Sequence, residues 1–292
     1  MHLYSEEILP VVMYEPLPLR ASPSLDMTSA AEAYQRWKAL RSAPSAALPK
    51  GRFSKDMSTE SEPFSDTLLN PPVRGFLHRP AEPAGDSLVL THGAGGNAKA
   101  ALLVALADVF AEAGFTILRC DLPFRQKRPY GPPRPGDSTQ DREGLRNAVA
   151  GMRRLVAGRV FLGGQSYGGR QATMLCSDET GLVDGLLLLS YPLHAPSRPD
   201  LPRIQHLPKL GTQALFVHGT RDPFGSIGEM ESALKLIPAK TSLLPIEGTG
   251  HDLGFKGKAR RGDLPTVVLA AFQSFFRSSA KGGSLGAQAR SE

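Results

Sequence analysis

The stretch from Val160 to Arg170, VFLGGQSYGGR, holds a serine between closely spaced glycines. Its centre matches the pattern G-x-S-x-G at Gly164, Ser166 and Gly168, with an apolar run before it and a helix-like run after it. A serine on a sharp turn from a strand into a helix projects its hydroxyl above the edge of a sheet, and the glycines leave room for the crowded backbone. The pattern predicts that Ser166 is a nucleophile; the alternative is a glycine-rich turn that only packs a strand on a helix.

Two later stretches provide an acid and a base that could activate this serine. Asp222 follows the apolar run Ala214–His218, and His251 lies in a glycine-rich stretch after the run Ser242–Ile246. An acid after a late strand and a histidine after the last strand form a catalytic triad with a serine that precedes both. We predict that His251 takes the serine proton and returns it to the leaving group. Asp222 would fix the histidine tautomer and stabilise the imidazolium.

Further ionisable residues in these stretches compete with the predicted acid and base. His218 lies within the end of its strand, and Asp252 follows His251 directly. His194 precedes the acid strand, which gives the wrong chain order, and Glu247 shares the loop of His251. The set Ser166, Asp222 and His251 is therefore preferred as the catalytic triad.

An earlier stretch, Ser87–Gly96, is an apolar run that ends in the glycine-rich sequence HGAGG. Glycines let a backbone approach a substrate closely. We predict that the amide of Ala94, together with that of Tyr167 just after the serine, donates to the oxyanion formed during acyl transfer. A phosphate-binding loop is the competing interpretation. However, the stretch lacks both the Lys-Ser/Thr ending of a P-loop and the G-x-G-x-x-G spacing of a dinucleotide-binding fold. His92 is expected to make structural hydrogen bonds.

Short apolar runs alternate with amphipathic runs from about residue 66 onward. Strands of four to six residues, apolar on both faces, are typical of parallel strands covered by helices. The alternation predicts an α/β fold with a mostly parallel, doubly wound sheet. The predicted strands are Val73–His78, Leu88–Thr91, Phe115–Cys120, Val160–Gly163, Leu186–Tyr191, Ala214–His218 and Ser242–Ile246, and the predicted helices are Ala98–Ala113, Thr139–Val156, Arg170–Cys176, Ile227–Ile237 and Leu264–Phe276.

Three segments of different composition divide the chain. Residues 1–65 form an extension rich in proline, serine and alanine, which we expect to be largely disordered, with one possible short helix. That helix would start at the capping box Ser29–Glu32 and carry Trp37, as a docking helix. The alternatives are a disordered tail, or an extension upstream of a later start at Met57. Residues 66–278 are the predicted folded domain, and we expect the Gly- and Ser-rich residues 279–292 to form a flexible tail.

Composition excludes several classes of function. Lys and Arg number 34 against 28 Asp and Glu, and a net charge of +6 is too mild for a nucleic-acid-binding surface. The sequence has no run near the ~20 apolar residues that would span a bilayer, and its first residues lack a signal-peptide pattern. Cys120 and Cys176 are expected to be buried spectators, with no metal or cofactor needed. We expect a cytoplasmic protein that binds neither nucleic acid nor membrane.

The motifs together resemble one branch of the α/β-hydrolase superfamily, over about residues 66–278. The resemblance is to bacterial relatives of testis-expressed protein 30 and of the third regulatory subunit of the NSL acetyltransferase complex, with dienelactone hydrolases as more distant relatives. It implies a serine hydrolase fold with the same three triad residues, and no particular substrate. Dienelactone hydrolases have a cysteine nucleophile where this chain has Ser166. The motifs are HGAGG at 92–96, GQSYGGR at 164–170, SYPLH at 190–194, HLP at 206–208 and GTRDPFG at 219–225.

The loop lengths suggest what kind of substrate could reach the serine. Only the proline-rich stretch Pro192–Gln213 separates two predicted strands at the point where many related enzymes insert a lid, so little or no cap is expected. The loop Asp121–Gly136 carries Arg125 and further basic residues beside aromatic ones. One interpretation is that these basic residues attract substrate carboxylate or phosphate groups; the alternative is a solvated proline-rich loop. Besides Arg125, the basic residues are Lys127, Arg128 and Arg134.

The sequence thus predicts a serine hydrolase that cleaves a small or medium ester, thioester or related acyl bond of a small molecule. The reaction would pass through an acyl group on Ser166. The alternative is a catalytically idle α/β-hydrolase fold that serves as a protein-binding module, as the complex subunit among the relatives suggests.

Overall fold

Eight strands form one sheet in the part of the chain that the computed structural model describes, residues 61–255 and 262–277. The strand order is β1-β2-β4-β3-β5-β6-β7-β8. Strand β2 pairs antiparallel with both β1 and β4, and all other neighbours are parallel. The strands are β1 Ser61–Asp66, β2 Val73–His78, β3 Ser87–Thr91, β4 Thr116–Asp121, β5 Val160–Gln165, β6 Gly185–Leu189, β7 Ala214–Gly219 and β8 Thr241–Ile246.

Helices cover both faces of this sheet. Helices α3, α4 and α5 contribute to one apolar layer, and α1 and α6 to the other. A chain that leaves one strand through a helix and returns to a parallel strand produces this doubly wound arrangement, as predicted. The helices are α1 Ala101–Glu112, α2 Pro123–Lys127, α3 Asp137–Leu155, α4 Tyr167–Asp178, α5 Ile227–Leu234 and α6 Leu264–Arg277, with a short 3-10 turn at Leu207–Lys209.

The central strands explain why their sequences are continuously apolar. In β3, Leu88 and Leu90 point into the layer beneath α1 and α6, whereas Val89 points into the opposite layer. Leu186 and Leu187 of β6 divide between the layers in the same way. Successive side chains of a strand face opposite sides of the sheet, so a strand buried on both faces needs apolar residues at every position.

Strand β1 and helix α2 are absent from the sequence predictions. β1 has the sequence SEPFSD and is mostly exposed, so it carries no apolar run to reveal it. It begins at Ser61, within the segment 1–65 that was assigned to the extension. Helix α2 has only five residues and begins at Pro123 inside the predicted loop Asp121–Gly136. Proline fits the first turn of a helix because its missing N–H would have no partner there.

The segment between β6 and β7 contains the 3-10 turn and no cap domain in the described residues. The prediction of a hydrolase fold with little or no cap is thus confirmed. No helix in the described ranges is long and apolar enough to cross a bilayer. The predicted helix of the extension and the tail 279–292 lie outside the described residues.

Candidate active site

Ser166 occupies the turn between β5 and α4 in a backbone conformation that serine rarely adopts. Its φ is 51° and its ψ is −114°. Strain of this kind persists only where the surroundings hold it. A Cβ at Gly168 would lie 2.5 Å from the carbonyl oxygen of His92, and a Cβ at Gly164 would lie 2.5 Å from the Gly169 nitrogen. The glycines of the motif are thus required by close packing of the turn.

The structure brings Ser166, His251 and Asp222 into one hydrogen-bonded chain. The Ser166 Oγ lies 2.8 Å from His251 Nε2. His251 Nδ1 lies 2.8 Å and 3.0 Å from the two carboxylate oxygens of Asp222. An ionised carboxylate can only accept, so Nδ1 carries the proton and donates it, which leaves Nε2 free to accept from the serine hydroxyl.

Phe224 positions both the acid and the histidine, a role that sequence reasoning did not assign. Its backbone N–H donates to Asp222 Oδ1 at 2.9 Å. Its ring stacks on the imidazole of His251, with centroids 4.1 Å apart and an interplanar angle of 28°. The Asp222 side chain is fully buried, whereas that of His251 is 26% exposed. In the sequence, this role was indicated only by the position of Phe224 two residues after the predicted acid.

His218 lies next to the acid but has a structural partner. Its Nε2 donates to the carbonyl oxygen of Gly225 at 2.8 Å and is 3.7 Å from Asp222 Oδ2. Burial lowers the pKa of His218, with the Gly225 carbonyl and the Asp222 charge opposing that shift. A neutral, fully buried imidazole that holds the Asp222–Gly225 turn is not a competing base.

Three other candidates for the acid or the base do not join this chain of hydrogen bonds. Their side chains contact other groups. His194 Nε2 lies 3.4 Å from Glu229 Oε1, and the His194 N–H donates to the Phe224 carbonyl. Glu247 is exposed and accepts from Thr220 Oγ1 at 3.4 Å. Asp252 accepts from the Gly254 N–H at 3.2 Å.

The glycine-rich loop after β3 lies against the nucleophile. A Cβ at Gly93 would be 3.4 Å from the Ser166 Cβ and 4.0 Å from its Oγ. The next residue is Ala94, and Tyr167 begins α4 directly after the serine. Within the described residues, neither the Ala94 N–H nor the Tyr167 N–H donates to a protein acceptor. Both predicted donors thus remain available for an oxyanion.

His92 holds the end of β3 to the end of β4. It is fully buried, accepts from the Leu122 N–H through Nε2 at 3.1 Å and donates from Nδ1 to the Gly93 carbonyl at 2.8 Å. Burial lowers the pKa of His92, although the Gly93 carbonyl and Asp121 act in the opposite direction. Its structural role agrees with the expectation from the sequence.

One interpretation of the loop Asp121–Gly136 was that Arg125 faces the substrate, but the structure places its side chain against the backbone. It is 6% exposed, and its guanidinium donates to backbone carbonyls of the glycine-rich loop. Nε donates to Gly96 at 2.8 Å, and Nη2 donates to Ala94 at 2.8 Å and to Gly131 at 2.9 Å. A planar guanidinium presents several donors in a fixed fork, which suits it to fasten a loop. Arg125 therefore supports the loop that carries the Ala94 amide.

Two neighbouring basic residues are also occupied by protein groups. Arg128 forms an ion pair with Asp137, and Lys127 donates to Gln140. The substrate-attracting interpretation of the loop is therefore wrong for Arg125 and unsupported for these two residues. Arg134 is exposed, in line with a solvated loop.

Tyr167 is fixed by a buried carboxyl group on α3. Its hydroxyl donates to Asp141 Oδ2 at 2.7 Å, and the Phe124 N–H donates to Asp141 Oδ1 at 2.9 Å. Burial raises the pKa of Asp141, opposed by these two hydrogen bonds. Burial and the bond to Asp141 likewise raise the pKa of the Tyr167 phenol. The residue after the nucleophile is thus held in place by its side chain.

The two cysteines are removed from this chemistry. Cys120 and Cys176 are both buried and free. Burial raises the pKa of each thiol to about 12, so neither is a thiolate at neutral pH. Across the described ranges no group of three or more His, Cys, Asp or Glu residues is arranged to hold a metal ion.

Comparison with known proteins agrees with this architecture. A family model for an alpha/beta hydrolase domain matches residues 84–273, which is more than half of the 292 residues. This chain belongs to the alpha/beta hydrolase family. The resemblance inferred from the motifs is confirmed at the level of the superfamily.

Solved structures share the fold at low sequence identity. A dienelactone hydrolase from Anabaena variabilis aligns with a TM-score of 0.58 and 21% identity, over 75% of this chain and 97% of that one. An alpha-beta serine hydrolase homologue from Coxiella burnetii aligns with a TM-score of 0.58 and 15% identity, over 74% and 98%. A lidless serine hydrolase from Xanthomonas campestris has a TM-score of 0.54 and 16% identity, over 77% and 98%. These structures thus share the alpha/beta hydrolase fold that the family model assigns to this chain.

Proposed function

We propose that this hydrolase cleaves a small or medium ester, thioester or related acyl bond through an acyl group on Ser166. The observation that carries the proposal is the chain of hydrogen bonds from Ser166 Oγ through His251 to Asp222. A serine hydroxyl is a weak nucleophile by itself and gains reactivity from an adjacent base that a third group orients.

In the first half of the proposed reaction, the Ser166 proton passes to His251 Nε2 as Oγ bonds to the substrate carbonyl carbon. The imidazolium is stabilised by the carboxylate of Asp222. It then gives the proton to the leaving alcohol or thiol as the bond to that group breaks, which leaves the acyl-enzyme. In the second half, a water molecule repeats the sequence, releases the acid and restores the serine.

The Ala94 and Tyr167 amides are the proposed oxyanion donors. Tyr167 follows Ser166 in the chain, and Ala94 follows Gly93, which packs against Ser166. Within the described residues neither N–H has a protein acceptor. Donors that are fixed before the reaction cost no reorganisation when charge develops on the carbonyl oxygen, and each is typically worth about 3 kcal/mol. The hydrogen bonds of Arg125 and Asp141 hold the two donor residues in position.

The open surroundings of the serine favour substrates of modest size. No cap domain follows β6 in the described residues, so a long acyl chain would find no lid to cover it. The similar lidless serine hydrolase from Xanthomonas campestris supports the same expectation.

A fluorophosphonate probe tests the activated nucleophile. The full chain is incubated with the probe, digested and mapped by mass spectrometry, beside Ser166→Ala and His251→Ala variants checked by circular dichroism. We expect modification at Ser166, none in Ser166→Ala and a large loss of rate in His251→Ala. A folded wild-type chain that takes up no probe would support the second candidate function, a catalytically idle binding module.

A further inference from the structure

Three arginines form a cluster near His206: Arg170 and Arg142 lie close enough to act on the charge of His206, and Arg203 lies close to Arg170. Arg170 lies on α4, Arg142 lies on α3, and Arg203 lies in the segment after β6. All three are partly buried. The Arg142 guanidinium donates to Gln171 Oε1, next to Arg170 in the chain, at 3.3 Å.

His206 links this cluster to α4 and to the end of β6. Its Nε2 lies 2.9 Å from Thr173 Oγ1 and 3.2 Å from the Tyr191 hydroxyl. Thr173 Oγ1 in turn donates to the carbonyl oxygen of Arg170 at 2.8 Å. The Arg203 N–H donates to the Leu193 carbonyl at 2.7 Å, which ties its segment to the same region.

The three arginines have no acidic partner. In the described ranges none of them lies within 4.0 Å of a carboxylate, whereas Arg146, for example, pairs with Glu179. The Nε of Arg170 and the Nε2 of Gln171 are both buried without a hydrogen-bond acceptor. Buried donors without partners are costly, and an anionic oxygen is the kind of acceptor that would satisfy them.

Electrostatic effects within the cluster agree with this arrangement. Burial and the positive charge of Arg170 lower the pKa of His206 to about 4, with Asp178 opposing and Arg142 adding to the shift. Burial and Arg170 also lower the pKa of Arg203. His206 is thus neutral at pH 7, and the arginines are a concentration of positive charge that an anion would relieve.

The cluster lies within reach of the proposed nucleophile. The Arg170 N–H donates to the Ser166 carbonyl at 3.0 Å, so its residue is one helical turn, about 6 Å along the axis, beyond the serine. Ligands of open α/β sheets bind outside the carboxyl ends of the strands, which is where β5 and β6 deliver Ser166 and Tyr191.

We propose that Arg170 and Arg203, supported by Arg142, bind an anionic group of the substrate, a carboxylate or a phosphoryl group. This proposal rests on the proposed function, because it makes the cluster a subsite of the Ser166 centre. Arginine suits the role since its planar fork matches the oxygens of both groups. This cluster, and not Arg125 with its neighbours, is the proposed site of anion recognition.

Binding of simple anions tests the subsite without turnover. Glutarate and inorganic phosphate are titrated separately into the full chain by isothermal calorimetry, beside Arg203→Gln and Arg170→Gln. The matched control is Arg198→Gln, an exposed arginine of the same segment that lies 3.4 Å from Asp200. We expect saturable binding of at least one anion, weakened about tenfold or more in the two cluster variants and unchanged in the control. The anion that binds identifies the group.

Ester selectivity links the subsite to the reaction. The mono-p-nitrophenyl ester of glutaric acid is compared with p-nitrophenyl pentanoate, a neutral ester of matched chain length. Arg203→Gln should lower kcat/KM about tenfold for the anionic ester alone, and Arg203→Lys should give an intermediate value because it keeps the charge and loses the fork.

The outcomes separate the two proposals. Wild-type protein that binds neither anion, or cluster variants that bind as the wild type does, would overturn the anion subsite even if the probe modifies Ser166. Specific anion binding in a protein that takes up no probe would keep the subsite and remove the hydrolase mechanism.

Discussion

At the scale of single residues, hydrogen-bond directions assign distinct roles to side chains of the same type. His251, His218 and His92 all lie near the proposed site, yet only His251 has one ring nitrogen facing a carboxylate and the other facing a serine. His92 bonds backbone groups through both ring nitrogens, and His218 bonds the Gly225 carbonyl through Nε2. Partner chemistry, and not residue type, separates a base from a structural histidine.

Replacing Asp222 by Asn tests the tautomer argument. An amide at this position can present its NH₂ group to His251 Nδ1, which favours the tautomer with the proton on Nε2 and removes the acceptor for Ser166. We expect kcat for ester hydrolysis to fall about 10³–10⁴-fold with the fold retained by circular dichroism. Glu247→Gln, the rival acid, serves as the control and should retain full activity. Comparable losses in both variants would contradict the assignment.

His206 provides a stability test with a defined sign. Its folded-state pKa of about 4 lies below its ordinary value of 6.5. Between these values the unfolded chain takes up the proton more readily, so the contribution of neutral His206 is present above pH 6.5 and is lost as pH falls toward 4. The difference in unfolding free energy between wild type and His206→Gln should shrink by about 1–2 kcal/mol from pH 7.5 to pH 5, after allowance for partial exposure. Urea denaturation at both pH values measures it, and a constant difference would refute the shift.

At the scale of elements, the site is formed by the segments that follow β3, β5, β7 and β8 at one edge of the sheet. Two of these segments are held by side chains from other parts of the chain. Arg125 of α2 fastens the glycine-rich loop after β3, and Asp141 of α3 fastens the residue that starts α4.

Arg125→Lys is expected to impair the chemical step through the loop that carries Ala94. Lysine has a single amine and cannot reach the Gly96, Ala94 and Gly131 carbonyls together. Because an oxyanion hole acts mainly in the transition state, kcat should fall about tenfold or more while KM changes little. Steady-state kinetics with a neutral ester measures both constants. Arg134→Lys, at an exposed position, should match the wild type, and an increase in KM alone would indicate a substrate contact instead.

Gly168→Ala tests the close packing of the nucleophile turn. The added methyl group would collide with the carbonyl of His92, and overpacking of this kind costs about 1–3 kcal/mol. We expect a lower melting temperature and slower labelling of Ser166. Gly95→Ala is the matched control, since a Cβ there meets nothing within 4 Å. Equal behaviour of the two variants would refute the packing argument.

Sequence periodicity predicted the central strands and long helices because burial on both faces imposes apolar residues on every strand position. It missed β1, which is largely exposed, and α2, which is too short to show a period. The residues of the proposed triad followed from motif order. The roles of Phe224 and Arg125 could not be predicted in this way, because they depend on the direction of a ring and of a guanidinium after folding.

At the scale of the whole molecule, helix α6 completes one of the two apolar layers. Phe272 of α6 packs edge-on against Phe110 and Phe161, with centroids 5.1 Å and 4.9 Å apart. It thereby joins α1, β5 and α6 in one cluster.

Phe272→Ala should lower the free energy of unfolding by about 3–5 kcal/mol, because it leaves a cavity in a closely packed layer. Folded protein should keep one labelled serine per chain, since the cluster lies away from the hydrogen bonds of Ser166. Chemical denaturation and label stoichiometry measure the two effects. Leu201→Ala, at a position that is 54% exposed, should change stability by less than about 0.5 kcal/mol. A similar loss in both variants would contradict this account of the layer.

The hydrogen bond between Ser166 and His251 joins positions 85 residues apart, and that between His251 and Asp222 joins positions 29 apart. Contacts so distant along the chain form only when most of the loop-closure entropy has been lost. No fragment that holds Ser166 alone would carry an activated hydroxyl. The rate at which the probe reacts would therefore measure the fraction of folded protein. Labelling of Ser166 could then follow refolding from denaturant and unfolding at high temperature.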